Sequence, residues 1–233
     1  MAFGPIMRFA VGELRVELAP FSREDMAEFI SLDCGGGMWQ FSVRKHTGHR
    51  TAPTLEDEQE HHDKVRKSAD KLVWGIWIIL TIDGIEKRQL IGVSELHGFD
   101  EGSTRLVQQA TSGSMIFNKA YWGKGIARAA HKARTWYAFT QMGLHRINSA
   151  VMQENLASRK ALERSGYTFV YTNRNEQFTD GRLQHLDYLE CLNPHDFFWK
   201  QWWHGDRPTK KALTARKLTL EMLAWANENV ELA

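Results

Sequence analysis

The residues with the clearest chemical meaning form a glycine-containing turn, Tyr121–Arg128. An apolar, strand-like run ends just before it at Ser114–Phe117, and a helical pattern begins inside it. Gly123 and Gly125 let the backbone pass close to a ligand and turn its N–H groups outward. The helix that follows points the positive end of its dipole at the same place. The turn therefore predicts a binding site for a phosphate or pyrophosphate group.

Two common phosphate-binding motifs do not fit this turn. Lys124 is not followed by Ser or Thr, so the turn is not a P-loop of the G-x-x-x-x-G-K-[S/T] form. The full G-x-G-x-x-G of a dinucleotide-binding Rossmann fold is also lacking, and the turn ends an antiparallel set of strands. Neither a P-loop nor a dinucleotide site is therefore predicted.

The histidines and cysteines do not predict a metal site. His61 and His62 are adjacent, so on a helix they point about 100° apart, and no H-E-x-x-H motif is present. Their helix is heavily charged, and we interpret it as a solvated face. Cys34 and Cys191 lie far apart without metal-ligand spacing. We expect two buried or neutral thiols in a reducing cytosol.

The composition is that of an ordinary soluble globular protein, with 42% apolar and 25% charged residues. A net charge of +2 gives no global case for nucleic acid binding. No apolar run reaches the roughly 18 residues of a membrane span, and the N-terminus lacks the features of a signal peptide. A cytoplasmic protein that binds neither nucleic acid nor membrane is therefore expected.

The elements before the turn follow from apolar periodicity and capping signals. In order, they are a strand at 11–20, a helix from Ser22 to about Leu32, a loop at 38–53 and a helix from Thr54 to about Lys71. Both helix starts rest on a hydroxyl N-cap followed three residues later by an aspartate. Apolar strands at 72–82, 88–97 and 105–117 then form an antiparallel meander that leads into the turn.

The elements after the turn alternate between helix and strand. They are a helix from Gly125 to about Met142, a strand at Arg146–Met152, a helix from about Asn155 to Ser165, a hairpin of strands at 167–173 and 183–192, and a helix at about 209–229. The first of these helices carries an apolar stripe with two alanines, Ala130 and Ala133, which allow close packing on a sheet. This order predicts an α/β (α+β) fold, a mixed sheet with helices on both faces.

The C-terminal segment differs in composition from the rest of the chain. We predict one domain over residues 1–193 and a second segment over 194–233 that packs on this domain or on a partner subunit in a possible homodimer. Its aromatic residues are Phe197, Phe198, Trp199, Trp202 and Trp203. Alternatively, these rings form the wall or lid of a pocket for a second substrate.

Three ordered motifs carry a resemblance to a known family. They are Trp122-Gly123-Lys124-Gly125-Ile126-Ala127, then Tyr137-Ala138-Phe139 through Gly143-Leu144-His145-Arg146-Ile147, then Asn155-Leu156-Ala157-Ser158 with Leu162-Glu163-Arg164-Ser165-Gly166-Tyr167. Together, residues 111–191 resemble the GNAT acyl-CoA N-acyltransferase superfamily, in its branch similar to the RimJ/RimL ribosomal-protein N-terminal acetyltransferases. The resemblance implies a mostly antiparallel central sheet of about seven strands and acetyl-CoA as co-substrate.

The resemblance also implies where acetyl-CoA binds. The cofactor-binding positions are Met115, Ile116 and Phe117 for the pantetheine arm, Trp122, Gly123, Lys124, Gly125, Ile126, Ala127 and Arg128 for the pyrophosphate, and Asn155, Ser158, Arg159 and Lys160 around the arm and the adenosine 3′-phosphate. Each polar side chain among them has a structural alternative. Lys124, Arg128 and Arg159 are equally explained as solvated cations, and Asn155 as a helix N-cap.

The reaction implied is direct transfer of an acetyl group to an amine, which requires a base and a donor for the leaving thiolate. Ser158 is the candidate donor or sulfur contact, with packing at the helix start as its alternative. The superfamily often has Tyr at the position of Leu162 and Arg or Gln at the position of Trp122. Glu95 is the first choice of base, with His97 and Asp187 as further candidates.

The acceptor remains open at this level. The branch implies a protein N-terminus, and the rival is a small amine such as an aminoglycoside or another antibiotic or metabolite. Carboxylates that could attract a cationic amine are Asp33, Asp57, Glu58 and Glu60. A different class of function is a GNAT-fold module that binds acyl-CoA without turnover, which the absence of Tyr at position 162 favours.

Overall fold

One nine-stranded sheet organises residues 2–31, 53–99, 107–179 and 181–233, which are the residues that this computed structural model describes. The strands are β1 Met7–Val11, β2 Leu14–Ala19, β3 Lys71–Ile82, β4 Ile85–His97, β5 Gln109–Ile116, β6 Arg146–Met152, β7 Thr168–Thr179, β8 Arg182–Leu192 and β9 Glu231–Leu232. The helices are α1 Met26–Ile30, α2 Leu55–Arg66, α3 Ile126–Thr140, α4 Leu156–Glu163, α5 Asp196–Trp203 and α6 Lys210–Asn229. A mixed sheet with helices on both faces is thus confirmed.

The strand order is β7-β8-β6-β5-β4-β3-β2-β1-β9, and β5–β6 is the parallel pair in an otherwise antiparallel sheet. That pairing is short, joining Gln109–Thr111 to Arg146–Asn148. Beyond it the two strands separate, and the rest of β5 and β6 no longer pair with each other. We call the opening between them the wedge. It faces the glycine-containing turn at the end of β5.

The sheet has nine strands, two more than the approximate seven expected. The predicted strand at 11–20 is the second arm of a hairpin, because Gly12 adopts a left-handed backbone (φ +59°) and turns the chain back from β1. β1 has an alternating pattern of burial, but it is only five residues long. β9 has two residues and exists through its pairing with β1, so no local pattern predicts it.

The helix starts follow the capping chemistry. Thr54 accepts a hydrogen bond from the Asp57 N–H at 3.1 Å, and the Asp57 carboxylate accepts one from the Thr54 N–H at 2.9 Å, so the predicted capping box is confirmed. Ser22 and Asp25 exchange similar bonds, although α1 begins at Met26. Residues 32–52, including Asp33, Cys34 and nearly all of the predicted loop at 38–53, lie outside the described part of the chain.

The two faces of the sheet carry separate apolar clusters. One lies under α3 and α6 and includes Ile126, Ala130, Ala133 and Ala226. The other lies under α1 and α2 and includes Met26, Phe29, Val65 and Phe117. Because the wedge opens through the sheet between these layers, a ligand bound in it can be reached from both faces.

The interpretation of α2 as a solvated face is wrong for two of its residues. Glu58 is 9% exposed and His62 is 5% exposed. His62 stacks on Phe3, and its Nε2 lies 3.2 Å from the Phe21 carbonyl oxygen. The charged pattern of α2 does not reveal this burial, because it arises from packing against segments more than 30 positions away.

The C-terminal segment packs onto the rest of the chain. Trp136 on α3 donates to the Asn227 side chain at 2.6 Å, and Lys132 lies 4.4 Å from the centre of the Trp225 ring. The Trp199 ring on α5 is buried and is covered by the Arg216 guanidinium. The domain boundary near residue 193 stays a prediction. None of the helices in the described ranges is long and apolar enough to cross a membrane.

Cys191 gives a testable property of the core. Its Sγ is fully buried, 3.6 Å from the Thr219 hydroxyl, and burial raises the pKa of this thiol to about 12. The thiol is therefore neutral and unreactive in the folded protein. We expect a thiol reagent to modify Cys191 only after unfolding, as read by mass spectrometry of the labelled peptide. Modification of Cys191 in the native protein at neutral pH would contradict this burial.

Candidate active site

Backbone groups of β5 line one side of the wedge. The Phe117 N–H donates to the Ile91 carbonyl of β4. Because backbone groups alternate in direction along a strand, those of every second residue before Phe117 also point toward β4. Ser112, Ser114 and Ile116 then point their backbone groups into the wedge, and the Ser149 hydroxyl bonds to the Ser112 carbonyl there at 3.3 Å. The Ile116 carbonyl accepts from the Trp122 indole N–H, and the backbone groups of Ser114 between them are placed for a strand-like ligand to pair with.

The glycine-containing turn lies at the end of this row. Gly123 and Gly125 both have left-handed backbones, with φ of +74° and +82°, and Gly125 is the N-cap of α3. The first turn of α3 carries no acidic side chain. Its leading N–H groups, at Ile126, Ala127 and Arg128, are of the kind that an α-helix leaves without intrahelical partners. The turn therefore has the backbone geometry and dipole of an anion site.

Side chains fix this turn to the strand before it. The Trp122 indole N–H donates to the Ile116 carbonyl at 2.8 Å, which ties the turn to the end of β5. The Lys124 ammonium lies 5.1 Å from the centre of the Tyr121 ring, and Arg128 is exposed on α3. Both cations stand beside the first turn of α3, and their role toward phosphates stays a prediction.

Gly125→Ala tests the turn directly. A side chain at a left-handed position costs about 1–2 kcal/mol of stability, and we expect the variant to bind CoA at least tenfold more weakly in titration calorimetry because the turn shifts. Gly84→Ala is the matched control. Gly84 has the same kind of backbone (φ +76°) with open space around it, in the β3–β4 turn. Equal CoA affinity of the two variants would contradict the assignment.

The start of α4 borders the other side of the wedge. Asn155 is the N-cap of α4, which is the alternative role that the sequence predicted for it. Its side-chain oxygen accepts a hydrogen bond from the Ser158 N–H at 3.2 Å. Ser158 itself is half-buried. Asn155 therefore orients the first turn of α4, and its role toward CoA stays a prediction, as does the role of the Ser158 hydroxyl.

Arg159 and Asp187 pair with each other. Arg159 donates to the fully buried Asp187 carboxylate. It also donates to the Glu163 carboxylate, at 3.0 Å. Thr172 also donates to Asp187 at 2.7 Å. In this arrangement Asp187 is occupied by two donors, which makes it the weaker candidate base. Arg159 would have to exchange partners to reach a 3′-phosphate.

Glu95 lies close to the strand that lines the wedge. A Cβ atom placed on its cross-strand partner Gly113 would lie 2.8 Å from the Glu95 carboxylate oxygen, so another residue there would displace the carboxylate. The carboxylate is one-third exposed and lies 3.8 Å from His97 Nε2. Glu95 and His97 share the face covered by α1 and α2, which is opposite to α3. Glu95, the first choice of base, and the further candidate His97 thus stand on the same face of the sheet.

Leu162 and Arg134 show what the sequence did not reveal. Leu162 is 1% exposed in the core, so no hydroxyl stands where the superfamily often has Tyr. Arg134 is fully buried and donates to the Gly113 carbonyl from the α3 side of the sheet. An arginine directly after Ala133 of the apolar stripe was the available signal for its burial. Within the described residues, no group of three or more His, Cys, Asp or Glu side chains forms a metal site.

Comparison with known proteins gives the family. The family described as "Acetyltransferase (GNAT) domain" matches residues 15–168, a range that contains the wedge, the turn, Glu95 and Ser158. This chain belongs to the GNAT acetyltransferase family. As the sequence predicted, it is an acyl-CoA-dependent N-acetyltransferase by class.

Relatives support this placement. The chain is 34% identical over 142 residues to the probable N-acetyltransferase YjcK of Bacillus subtilis, a match that covers 61% of this chain and 67% of that protein. The structure of RimJ from Mycobacterium smegmatis with CoA-disulfide matches with a TM-score of 0.66 at 20% identity, covering 99% of this chain and 96% of the other. Spermidine N-acetyltransferase from Vibrio cholerae with CoA and spermine matches with a TM-score of 0.62 at 20% identity, covering 76% and 95%. The GNAT fold is thereby confirmed.

Proposed function

We propose that this GNAT enzyme transfers an acetyl group from acetyl-CoA to a primary amine by direct attack in a ternary complex. The observation that carries the proposal is the wedge, because its open backbone row ends at a left-handed glycine turn on a helix N-terminus. The row suits the two amides of pantetheine, and the turn suits the pyrophosphate. The two structural neighbours described above contain CoA and CoA-disulfide, respectively.

The chemistry assigns one role to each side of the wedge. The amine approaches from the face of α1 and α2 and gives its proton to Glu95. Attack forms the C–N bond and places negative charge on the carbonyl oxygen; collapse of this adduct breaks the C–S bond. The Ser158 hydroxyl donates a hydrogen bond to the departing CoA thiolate, which then takes up a proton from solvent, and Glu95 returns its proton to solvent. His97, 3.8 Å from Glu95, is the second candidate base. No covalent acyl-enzyme is required.

Carboxylates on the acceptor face favour a cationic amine. α1 lies over the end of β5, where the Phe29 and Phe117 rings are 4.7 Å apart. On this face Glu28 is partly buried and Glu58 is nearly fully buried, and burial raises the pKa of both carboxyls. Of the residues predicted to attract the amine, Asp57 is used in the capping box and Glu60 is exposed. A protein N-terminus and a small amine are the two acceptor classes to test.

The experiment is an acceptor panel. Purified protein is incubated with acetyl-CoA and separately with N-terminal peptides, polyamines, aminoglycosides and simple alkylamines, while thiol release and product mass are measured. We expect thiol release that depends on one acceptor class, with a mass gain of one acetyl group on that amine. An active aminoglycoside arm would support a role in antibiotic resistance. Gel filtration of the same sample tests the possible homodimer.

A non-catalytic acyl-CoA-binding module is the second candidate, favoured by the buried Leu162 at the position where a proton donor is often found. CoA binding in calorimetry without thiol release on any amine would favour the module. The proposed acetyl transfer requires a location where acetyl-CoA is available, so we propose an intracellular location with it.

A further inference from the structure

Arg134 is a buried cation beneath the wedge. It is 0% exposed, and its guanidinium donates to the Ser94 hydroxyl at 2.8 Å and to the Gly113 carbonyl at 2.5 Å. Both of these bonds come from Nη1, and the second terminal nitrogen, Nη2, lies 2.5 Å from His131 Nδ1. Burial lowers the pKa of His131 well below its usual range, so His131 is neutral and accepts this bond. No carboxylate among the described residues forms an ion pair with Arg134, and its Nε has no hydrogen-bond partner there.

Fold stability does not account for such a residue. Moving a guanidinium out of water is costly, and its attraction to a paired carboxylate normally offsets the cost. Here the contacts are the hydroxyls of Ser94 and Tyr167, a carbonyl and a neutral imidazole, and the Glu95 carboxylate attracts the guanidinium without forming an ion pair. Even a complete buried ion pair is often no more stable than apolar groups of similar volume, and among the described residues Arg134 lacks a carboxylate partner of that kind. The chain thus maintains a positive charge at this position at an energetic disadvantage.

One peptide group connects Arg134 to the wedge. The Gly113 carbonyl that Arg134 contacts and the Ser114 N–H belong to the same trans peptide, so they point in opposite directions. The backbone N–H and C=O of Gly113 point toward β4, so the Ser114 N–H points the other way, toward β6. Because the last β5–β6 pair is Thr111–Asn148, Ser114 lies beyond it and its N–H faces the wedge. A charged donor on the carbonyl polarises the peptide and strengthens the N–H as a hydrogen-bond donor.

We propose that Arg134 is a positioning residue for acetyl transfer, which acts through the Gly113–Ser114 peptide to stabilise negative charge on the thioester carbonyl oxygen. The inference rests on the proposed function. As the amine attacks, the carbonyl π electrons move to oxygen, and the Ser114 N–H donates to that oxygen. When the C–S bond breaks, the electrons return and CoA leaves as thiolate. The fixed charge of Arg134 lies beneath both developing anions, on the α3 side, while Glu95 takes the proton on the opposite side.

The test uses the opposite signs expected for activity and stability. Arg134→Met should lower kcat about tenfold or more. Removing an oxyanion donor outright lowers kcat by about 10²–10³-fold, and this variant only weakens the Ser114 N–H as a donor. KM for acetyl-CoA should stay within about twofold, and the melting temperature should be unchanged or higher. A residue with a merely structural role would lower the melting temperature together with kcat, or leave kcat unchanged.

Matched variants separate charge from packing. Thr135→Val alters the neighbouring buried polar residue without touching Gly113, and it should retain wild-type kcat. Arg134→Lys keeps the charge and should retain more activity than Arg134→Met. If Arg134→Met does not fold, Arg134→Gln removes the charge while keeping hydrogen-bond donors, and the same loss of kcat is expected. Wild-type kcat in every folded, uncharged variant would overturn the inference.

A spectroscopic measurement tests the inference without an acceptor. Difference infrared spectroscopy of bound acetyl-CoA, with ¹³C at the thioester carbonyl, should show a stretching frequency below that of free acetyl-CoA, and Arg134→Met should move it back toward the free value. An equal frequency in both proteins would overturn the inference. If the wild-type protein binds acetyl-CoA but releases no thiol on any amine, the proposed function fails by itself, and the infrared comparison still decides on Arg134.

Discussion

Replacing Glu95 by glutamine is expected to lower kcat by about 10²- to 10⁴-fold, the usual contribution of a general base, while KM for acetyl-CoA stays close to wild type. The physical reason is position. Glu95 stands over Gly113, on the face opposite the buried Arg134, and its carboxylate occupies the space that a Cβ atom at position 113 would take. The variant keeps the size and hydrogen bonding of the side chain but cannot accept the proton of the amine. Steady-state kinetics with the acceptor found in the panel give the measurement.

Two further variants make the Glu95 result specific. Glu86→Gln is the matched control, because Glu86 lies on the same strand, is exposed and pairs with Arg15 far from the wedge. It should retain full activity. His97→Gln discriminates between the candidate bases, since His97 is 3.8 Å from Glu95. A larger loss of kcat in His97→Gln than in Glu95→Gln would move the base assignment to His97.

Arg159→Met is expected to destabilise the fold by about 3 kcal/mol, the lower end of what removing one partner of a buried ion pair costs. The variant leaves the Asp187 carboxylate, which is fully buried, without its cationic partner. Thermal unfolding followed by circular dichroism should show a melting temperature lower by roughly 6–12 °C for a chain of this size. Binding of CoA should change by less than about threefold.

The controls for Arg159 use the same type of pair elsewhere. Arg182→Met breaks an exposed pair with Glu154 and should cost at most about 1 kcal/mol. The double variant Arg159→Met with Asp187→Leu should recover much of the lost stability, because no buried charge remains unpaired. A tenfold loss of CoA affinity with little loss of stability would instead support the role at the 3′-phosphate that the family resemblance implies for Arg159.

Local sequence signals predicted most of the elements because those signals are short-range. Apolar runs located β3, β4 and β6, and Thr54 with Asp57 located the start of α2 through bonds between neighbouring residues. The glycine turn was also a local signal, because Gly125 is required by its own left-handed backbone. The ordered motifs around it indicated the family, which the comparisons confirmed.

What only the tertiary structure decided depends on contacts between distant segments. β9 exists because β1 pairs with it, and His62 is buried because α2 packs over Phe21, 41 positions away. The pairing of Arg159 with Asp187 spans 28 positions. Arg134 reaches Gly113 across 21 positions, and its place beside the apolar stripe indicates burial but not which strand it meets. The sequence alone thus determined the family and the place where acetyl-CoA is expected to bind. Which charges stand around the reacting carbon was decided by packing, because burial and pairing exist only once the sheet and its helices have assembled.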